Sequence, residues 1–191
     1  RIFAAVGVNK LRITGGEPLV RANLPELIER LSSIEGIEDI ALTTNGYFLP
    51  KYANELKEAG LKRLTISLDS IDEEIFKKMS GRPQGPANTL EGIKLATELG
   101  FSPIKINVVV QRAVNDHTLV DTARYFKGTG AIVRFIEFMD VGTKNGWELS
   151  EVVTSKEVID MIGSEFPLEP VDPNYTGEVA SRYRYKDGDG E

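Results

Sequence analysis

No cysteine occurs anywhere in the sequence, and histidine and tryptophan occur once each. Disulfides are therefore excluded, and no thiolate of this chain can hold zinc or an iron-sulfur cluster. Long apolar runs are missing too. Nothing approaches the ~20 residues needed to span a bilayer, and the opening "RIFAAVGVNK" has neither the apolar region nor the cleavage site of a secretory leader. Positive charge is not in excess: 23 Lys and Arg face 29 Asp and Glu, a net charge of -6. That balance speaks against nucleic acid or an anionic membrane as partner, while leaving room for a local cationic pocket. A cytoplasmic setting is the expectation.

What is present is enough for a core: 41% of the 191 residues are hydrophobic, as suits one domain of ordinary size. Strand-like runs rich in Ile, Val and Thr occupy 10–14, 39–44, 63–68, 103–110 and 132–138, with helical pattern between them. Asn23 and Glu26 are placed as an N-cap and its third-position partner, and Gly36, Gly60 and Gly100 sit where αL glycines close helices. Leu119, Ala123 and Phe126 form an apolar stripe in the helix after Asn115 and Asp116. "GRPQGPAN" (81–88) suits a loop joining a strand to a helix. Strand, crossover helix and strand in repetition predict an α/β fold of parallel βαβ units.

The ends look cut. "IFAAVG" reads as the end of an apolar helix closed by Gly7, with no earlier strand for it to cover. "EVASRYRYKDGDGE" alternates like a strand and stops in an Asp-Gly turn, so the returning arm of a hairpin is expected beyond it.

Parity carries the next step. Arg12 and Thr14 alternate with Leu11 and Ile13, and Thr43 with Leu42. Thr65, Ser67 and Asp69 alternate with Leu64, Ile66 and Leu68, and Lys105 and Asn107 with Ile104, Ile106 and Val108. The apolar parity must meet the helices, so the polar parity faces the other side of the sheet, the inside if the sheet curves into a barrel. An antiparallel or open sheet with one wet face is the plainer alternative. Charges such as Arg12 and Lys105 on an interior face need partners: Asp69 and Glu137 in a structural pairing, or an anionic ligand.

The strand ends "TTNG" (43–46), "SLDS" (67–70) and "EFMD" (137–140) offer hydroxyls, amides and carboxylates at one rim, where α/β enzymes place their chemistry. "GGEP", Gly15 to Pro18, follows the first strand directly. Three reasons for its glycines compete: a turn needing positive φ, a helix start packed on a strand, or a ligand lying on bare main chain. Glu17 can reach such a ligand or begin a helix. His117 reads as solvated and Trp147 as a loop-packing residue.

"LRITGGEPLVR", "LTTNGYFL", "LTISLDSID", "IKINVVVQRAVND" and "VRFIEFMDVG…NGW", with "GEVASRYR" later, occur in order along the whole chain. They resemble blocks of the radical S-adenosylmethionine (SAM) superfamily and, more narrowly, of the GTP 3′,8-cyclase (MoaA) family, which performs the first step of molybdenum cofactor biosynthesis. The resemblance implies a partial, TIM-type (β/α) barrel over residues 1–166 and the start of a C-terminal segment over 167–191. It implies SAM and two 4Fe-4S clusters as cofactors, and a 5′-deoxyadenosyl radical that abstracts hydrogen from the ribose of GTP. Arg12, Thr43 and Lys105 match GTP-binding positions of the family, and Gly16, Ser67 and Met139 match positions that border SAM. The partners implied are GTP and SAM, without nucleic acid or membrane; a homodimer is left open.

The departure from the family pattern is the absent cysteine. Full-length relatives carry an N-terminal C-x-x-x-C-x-x-C loop and a C-terminal cysteine set, so this chain reads as an inactive central fragment of the enzyme. A cysteine-free module that only binds nucleotide or SAM, and a radical enzyme acting on a peptide, are the other readings.

Overall fold

The computed structural model describes residues 1–141 and 146–191. Gly142 and Asn145, part of the "VG…NGW" block, lie outside the described residues. The chain divides into two compact units, Arg1–Leu68 with Gly85–Ile106 and Asp69–Gln84 with Asn107–Glu191.

In the first unit the elements are α1 (Ile2–Ala5), β1 (Lys10–Ile13), a 3-10 turn (Pro18–Val20), α2 (Leu24–Ser32), β2 (Asp39–Thr44), α3 (Leu49–Glu58), β3 (Arg63–Ser67) and α5 (Ala87–Glu98). Strands β1, β2 and β3 pair in parallel, with Arg12 opposite Ala41 and Thr43 opposite Thr65. The plainer antiparallel sheet is thereby excluded. Ile40, Leu42, Leu64 and Ile66 are buried, as are Leu49 and Leu56 of α3, which satisfies the apolar parity. Gly36, Gly60 and Gly100 all have positive φ and follow helices, as their positions predict. Asn23 does not act as predicted. It is the residue before α2 but takes an αL conformation (φ 57), and its side chain makes no capping bond. Glu26 instead pairs with Arg30 one turn on, at 2.6 Å.

Strand β4 (Ile104–Val110) continues the alternation, with Ile104, Ile106, Val108 and Val110 buried and the residues between them half-exposed. With β5 (Ile132–Glu137), the five strands lie in the sheet order β1-β2-β3-β4-β5.

The second unit holds α4 (Glu73–Ser80), α6 (Leu119–Phe126), β5 (Ile132–Glu137), α7 (Ser155–Glu165), β6 (Leu168–Val171) and β7 (Arg182–Tyr185). Helix α4, capped by Asp72 onto the Ile75 N–H at 2.9 Å, occupies chain that carried no sequence assignment. Leu119, Ala123 and Phe126 are buried as one stripe. The alternating segment forms β7, which pairs antiparallel with the earlier β6, Leu168 opposite Tyr185 and Val171 opposite Arg182. The "DGDG" segment turns back on β7, with the Tyr185 N–H on the Gly190 carbonyl at 3.0 Å. No described helix is long and apolar enough to cross a membrane.

Candidate functional site

Arg12 organises the polar face of the first unit. Its Nη1 donates to the Thr43 hydroxyl and to the Thr65 hydroxyl, each at 3.2 Å. Neutral acceptors hold a guanidinium in place without offsetting its charge, and among the described residues Arg12 enters no ion pair. The carboxylates offered by the sequence as structural partners, Asp69 and Glu137, belong to the second unit and each accepts hydrogen bonds within it. Asp69 Oδ1 accepts the Val109 N–H at 2.9 Å, and Glu137 Oε1 accepts the Ser155 N–H at 2.6 Å and its hydroxyl at 2.8 Å.

The loop after β1 separates its two glycines by function. Gly15 has φ +146, a conformation side chains rarely adopt, so the chain path requires it. Gly16 has no such φ, and a Cβ built on it meets nothing within 4 Å. Neither turn geometry nor packing explains a glycine there.

Glu17 ties this loop down. Oε1 accepts the Leu19 N–H at 2.9 Å, capping the turn that Pro18 begins, and the Thr44 hydroxyl at 2.6 Å. Oε2 accepts the Asn45 N–H at 2.7 Å. The carboxylate therefore faces the end of β2, and the helix-start role is the one it fills. Behind it Thr44 accepts the Gly46 N–H at 3.0 Å, and the Thr89 hydroxyl of α5 donates to the Asn45 carbonyl at 3.0 Å. Gly46 and Gly92 let α5 approach this closely: a Cβ on Gly46 would lie 2.9 Å from Ile66 and Thr89, and one on Gly92 2.6 Å from Leu49 Cβ. Arg12, Thr43 and the Gly16 loop are thus brought together at the ends of β1 and β2.

Ser67 ends β3 on the parity of Thr65 and is exposed, and Lys105 is half-exposed between buried Ile104 and Ile106. Two residues on, Asn107 Oδ1 is buried without a hydrogen-bond partner among the described residues. A buried acceptor left open is uncommon, and a bound donor is one way to complete it.

The family model for the radical SAM superfamily matches residues 1–126. The chain belongs to the radical SAM superfamily. A second model, molybdenum cofactor synthesis C, matches residues 131–191. The chain is 53% identical over 191 residues to a protein named GTP 3′,8-cyclase from Xanthomonas campestris pv. campestris (strain B100), covering 100% of this chain and 56% of that protein. It is 50% identical over 187 residues to the GTP 3′,8-cyclase of Staphylococcus haemolyticus (strain JCSC1435), covering 98% of this chain and 55% of the relative. The chain therefore spans a little over half the length of these curated relatives.

Among solved structures, a radical SAM methyltransferase from Sphaerobacter thermophilus superposes with a TM-score of 0.62 at 14% identity, over 82% of this chain and 47% of that one. Methylornithine synthase gives 0.59 at 14% identity, over 84% and 49%. At such identities they establish the fold, a partial α/β barrel of TIM type.

In the second unit of this radical SAM chain, Met139 follows β5 and is 57% exposed. Trp147 packs as a loop residue, donating from Nε1 to the Phe138 carbonyl at 3.0 Å, and the His117 side chain is mostly exposed. Asn115, fully buried, received no role from the sequence. Its Nδ2 donates to the Asp69 carbonyl at 2.7 Å and the Val109 carbonyl at 2.8 Å, and its Oδ1 accepts the Gln111 N–H at 2.9 Å. It thereby joins the "SLDS" end to the end of β4. Burial pushes the Asp69 carboxyl up from its ordinary value, against the smaller opposing pull of the Val109 N–H. Thr65 was placed on the polar face without its partner Arg12, which lies across the sheet, and Asn115 received no role although Gln111 and Val109 are near it in sequence.

Proposed function

We propose that this chain is the barrel core of a GTP 3′,8-cyclase that works with SAM in molybdenum cofactor biosynthesis. The observation that carries the proposal is the Arg12 guanidinium held on Thr43 and Thr65 without an anionic partner among the described residues, beside a Gly16 whose bare backbone the fold does not need. A cation held by neutral groups suits an anionic nucleotide, and open main chain suits the polar groups of an amino-acid moiety.

In this reading Arg12, Thr43 and Lys105 bind GTP, while Gly16, Ser67 and Met139 border SAM, as the resemblance implies residue by residue. Asn107 Oδ1 would accept a donor from a bound ligand. When bound to a reduced cluster, SAM supplies hydrogen abstraction by a radical route. The residues of this chain orient the substrate and support the loop beside Gly16. An iron-sulfur cluster does not fit the chain by itself, because the sequence holds no cysteine and no cluster of metal-binding side chains occurs among the described residues. Two clusters, a cytoplasmic setting, a division near residue 166 and any homodimer belong to the proposal for the complete natural protein.

The test is anaerobic reconstitution of the complete protein with iron and sulfide, followed by incubation with SAM and GTP. The expected result is GTP-dependent consumption of SAM and a cyclised guanine nucleotide detected by mass spectrometry, with Lys105→Gln raising the KM for GTP. Consumption of SAM that is indifferent to GTP, or that requires a peptide, would overturn it.

A further inference from the structure

The polar face of the first unit includes Thr65, to which the family pattern gives no role. Thr65 lies on β3 and is 3% exposed. The relatives of Arg12 on neighbouring strands explain how it is reached. Arg12 is registered with Ala41, whose side chain is a single methyl, and Thr65 with Thr43. Reaching β3 means crossing β2, two strand spacings or about 9–10 Å of sheet. A residue larger than alanine at 41 would stand in the path of the side chain.

We infer that Thr65 is a positioning residue for Arg12, and that the Thr43–Thr65 pair turns the guanidinium so that its Nε–Nη2 edge is presented to an oxyanion, the phosphate of a nucleotide. The inference rests on the proposed GTP-binding role of Arg12. Its basis is donor arithmetic. An arginine has five N–H donors in a rigid plane. Two bonds from Nη1, one to each threonine, engage the two protons of that nitrogen. Nε–H and the two Nη2 protons are left, and Nε–H with one Nη2–H forms the side-on fork that matches two oxygens of a phosphate or carboxylate. Fixing one nitrogen of a rigid plane at two points fixes the direction of that fork. Because both acceptors are hydroxyls, the full positive charge stays available.

Two sources could supply the oxyanion, the triphosphate of GTP and the methionine carboxylate of SAM, and binding measurements separate them. The cluster-loaded complete protein would be compared as wild type, Thr65→Val, Thr65→Ser and Arg12→Met by equilibrium dialysis against GTP, guanosine and SAM. Valine keeps the branched shape and removes the hydroxyl, whereas serine keeps the hydroxyl. The expected result is about tenfold weaker GTP binding in Thr65→Val. Guanosine and SAM binding stay unchanged, Thr65→Ser stays within about twofold of wild type, and Arg12→Met loses at least as much as Thr65→Val. A merely structural threonine would move all three ligands together. Wild-type GTP affinity in Thr65→Val with a loss in Arg12→Met would overturn the positioning role alone. No loss in either would overturn the GTP-binding role of Arg12 as well. Equal losses in Thr65→Ser and Thr65→Val would show that the hydroxyl is not the determinant. A loss confined to SAM would overturn the phosphate assignment in favour of the carboxylate.

Discussion

The Glu17 carboxylate accepts the backbone N–H of Asn45 at 2.7 Å, joining the loop that follows β1 to the loop that follows β2. Three donors converge on that carboxylate, from Leu19, Thr44 and Asn45. In Glu17→Gln one oxygen becomes an NH2 group that faces a donor and cannot accept. The expected loss is about 1–3 kcal/mol of stability, read from the urea midpoint. Amide exchange at Leu19 and Asn45 should accelerate more than at the buried strands, since the damage is local.

Gly92→Ala should be costly for a different reason. The added Cβ would lie 2.6 Å from Leu49 Cβ and 3.1 Å from the Gly46 carbonyl, so α3 and α5 must part. An overpacking cost of about 1–3 kcal/mol is expected, visible as a lower Tm. The same substitution at Gly163 of α7, where a Cβ meets nothing within 4 Å, should leave Tm unchanged or raised.

Asn115→Ala leaves two carbonyls and one N–H without their bonds in a fully buried place. A loss above about 2 kcal/mol is expected in denaturant titration. Asn115→Asp should do no better, because a carboxylate cannot donate to the Asp69 and Val109 carbonyls.

Asp69 gives a pH signature with a definite sign. Its carboxyl is raised in the folded protein by burial, so the native state holds the proton more tightly than the unfolded chain does. Its stabilising share is complete below the ordinary 3.8 and is lost as pH rises through the elevated native value. Asp69→Asn removes the titration while keeping an acceptor for Val109. The stability gain of the variant over wild type should therefore be larger at neutral pH than at low pH, and level off below 3.8. A gain independent of pH would refute it.

The opposite sign holds for Glu157, whose carboxyl is lowered to about 2 by the Thr154 backbone, then by Arg112 and the Thr154 hydroxyl. Its contribution to the start of α7 should be present above 4.5 and fade as pH falls towards about 2. Glu157→Gln should narrow the gap to wild type over that window, measured by Tm.

The strands were legible because their signal is periodic. The residue alternation of β4, IKINVVV, is the same alternation that divides buried from half-exposed positions along it. Edges fell within a residue or so, and β2 was read without error from "DIALTT". The convergence of Arg12 on Thr43 was legible only as a shared face. That Thr65 completes it depends on the register of three strands, which no single run of sequence encodes. One misreading and one missed pairing have a related origin. Asn23 has the residue type of a cap, but its backbone is αL and its side chain makes no capping bond. β7 was read from its alternation but its pairing with β6 was not, because a tight Asp-Gly turn points to a local hairpin whereas β6 precedes it by a longer connection.

Gly16 has a consequence for how mutations here would be discovered. A methyl group at that place collides with nothing and asks for no unusual backbone, so a screen that scores only yield or heat resistance would pass such an allele unnoticed. In the role proposed for Gly16 beside SAM, occupancy by that ligand is the trait to score, and on that measure a well-folded, empty protein would stand out.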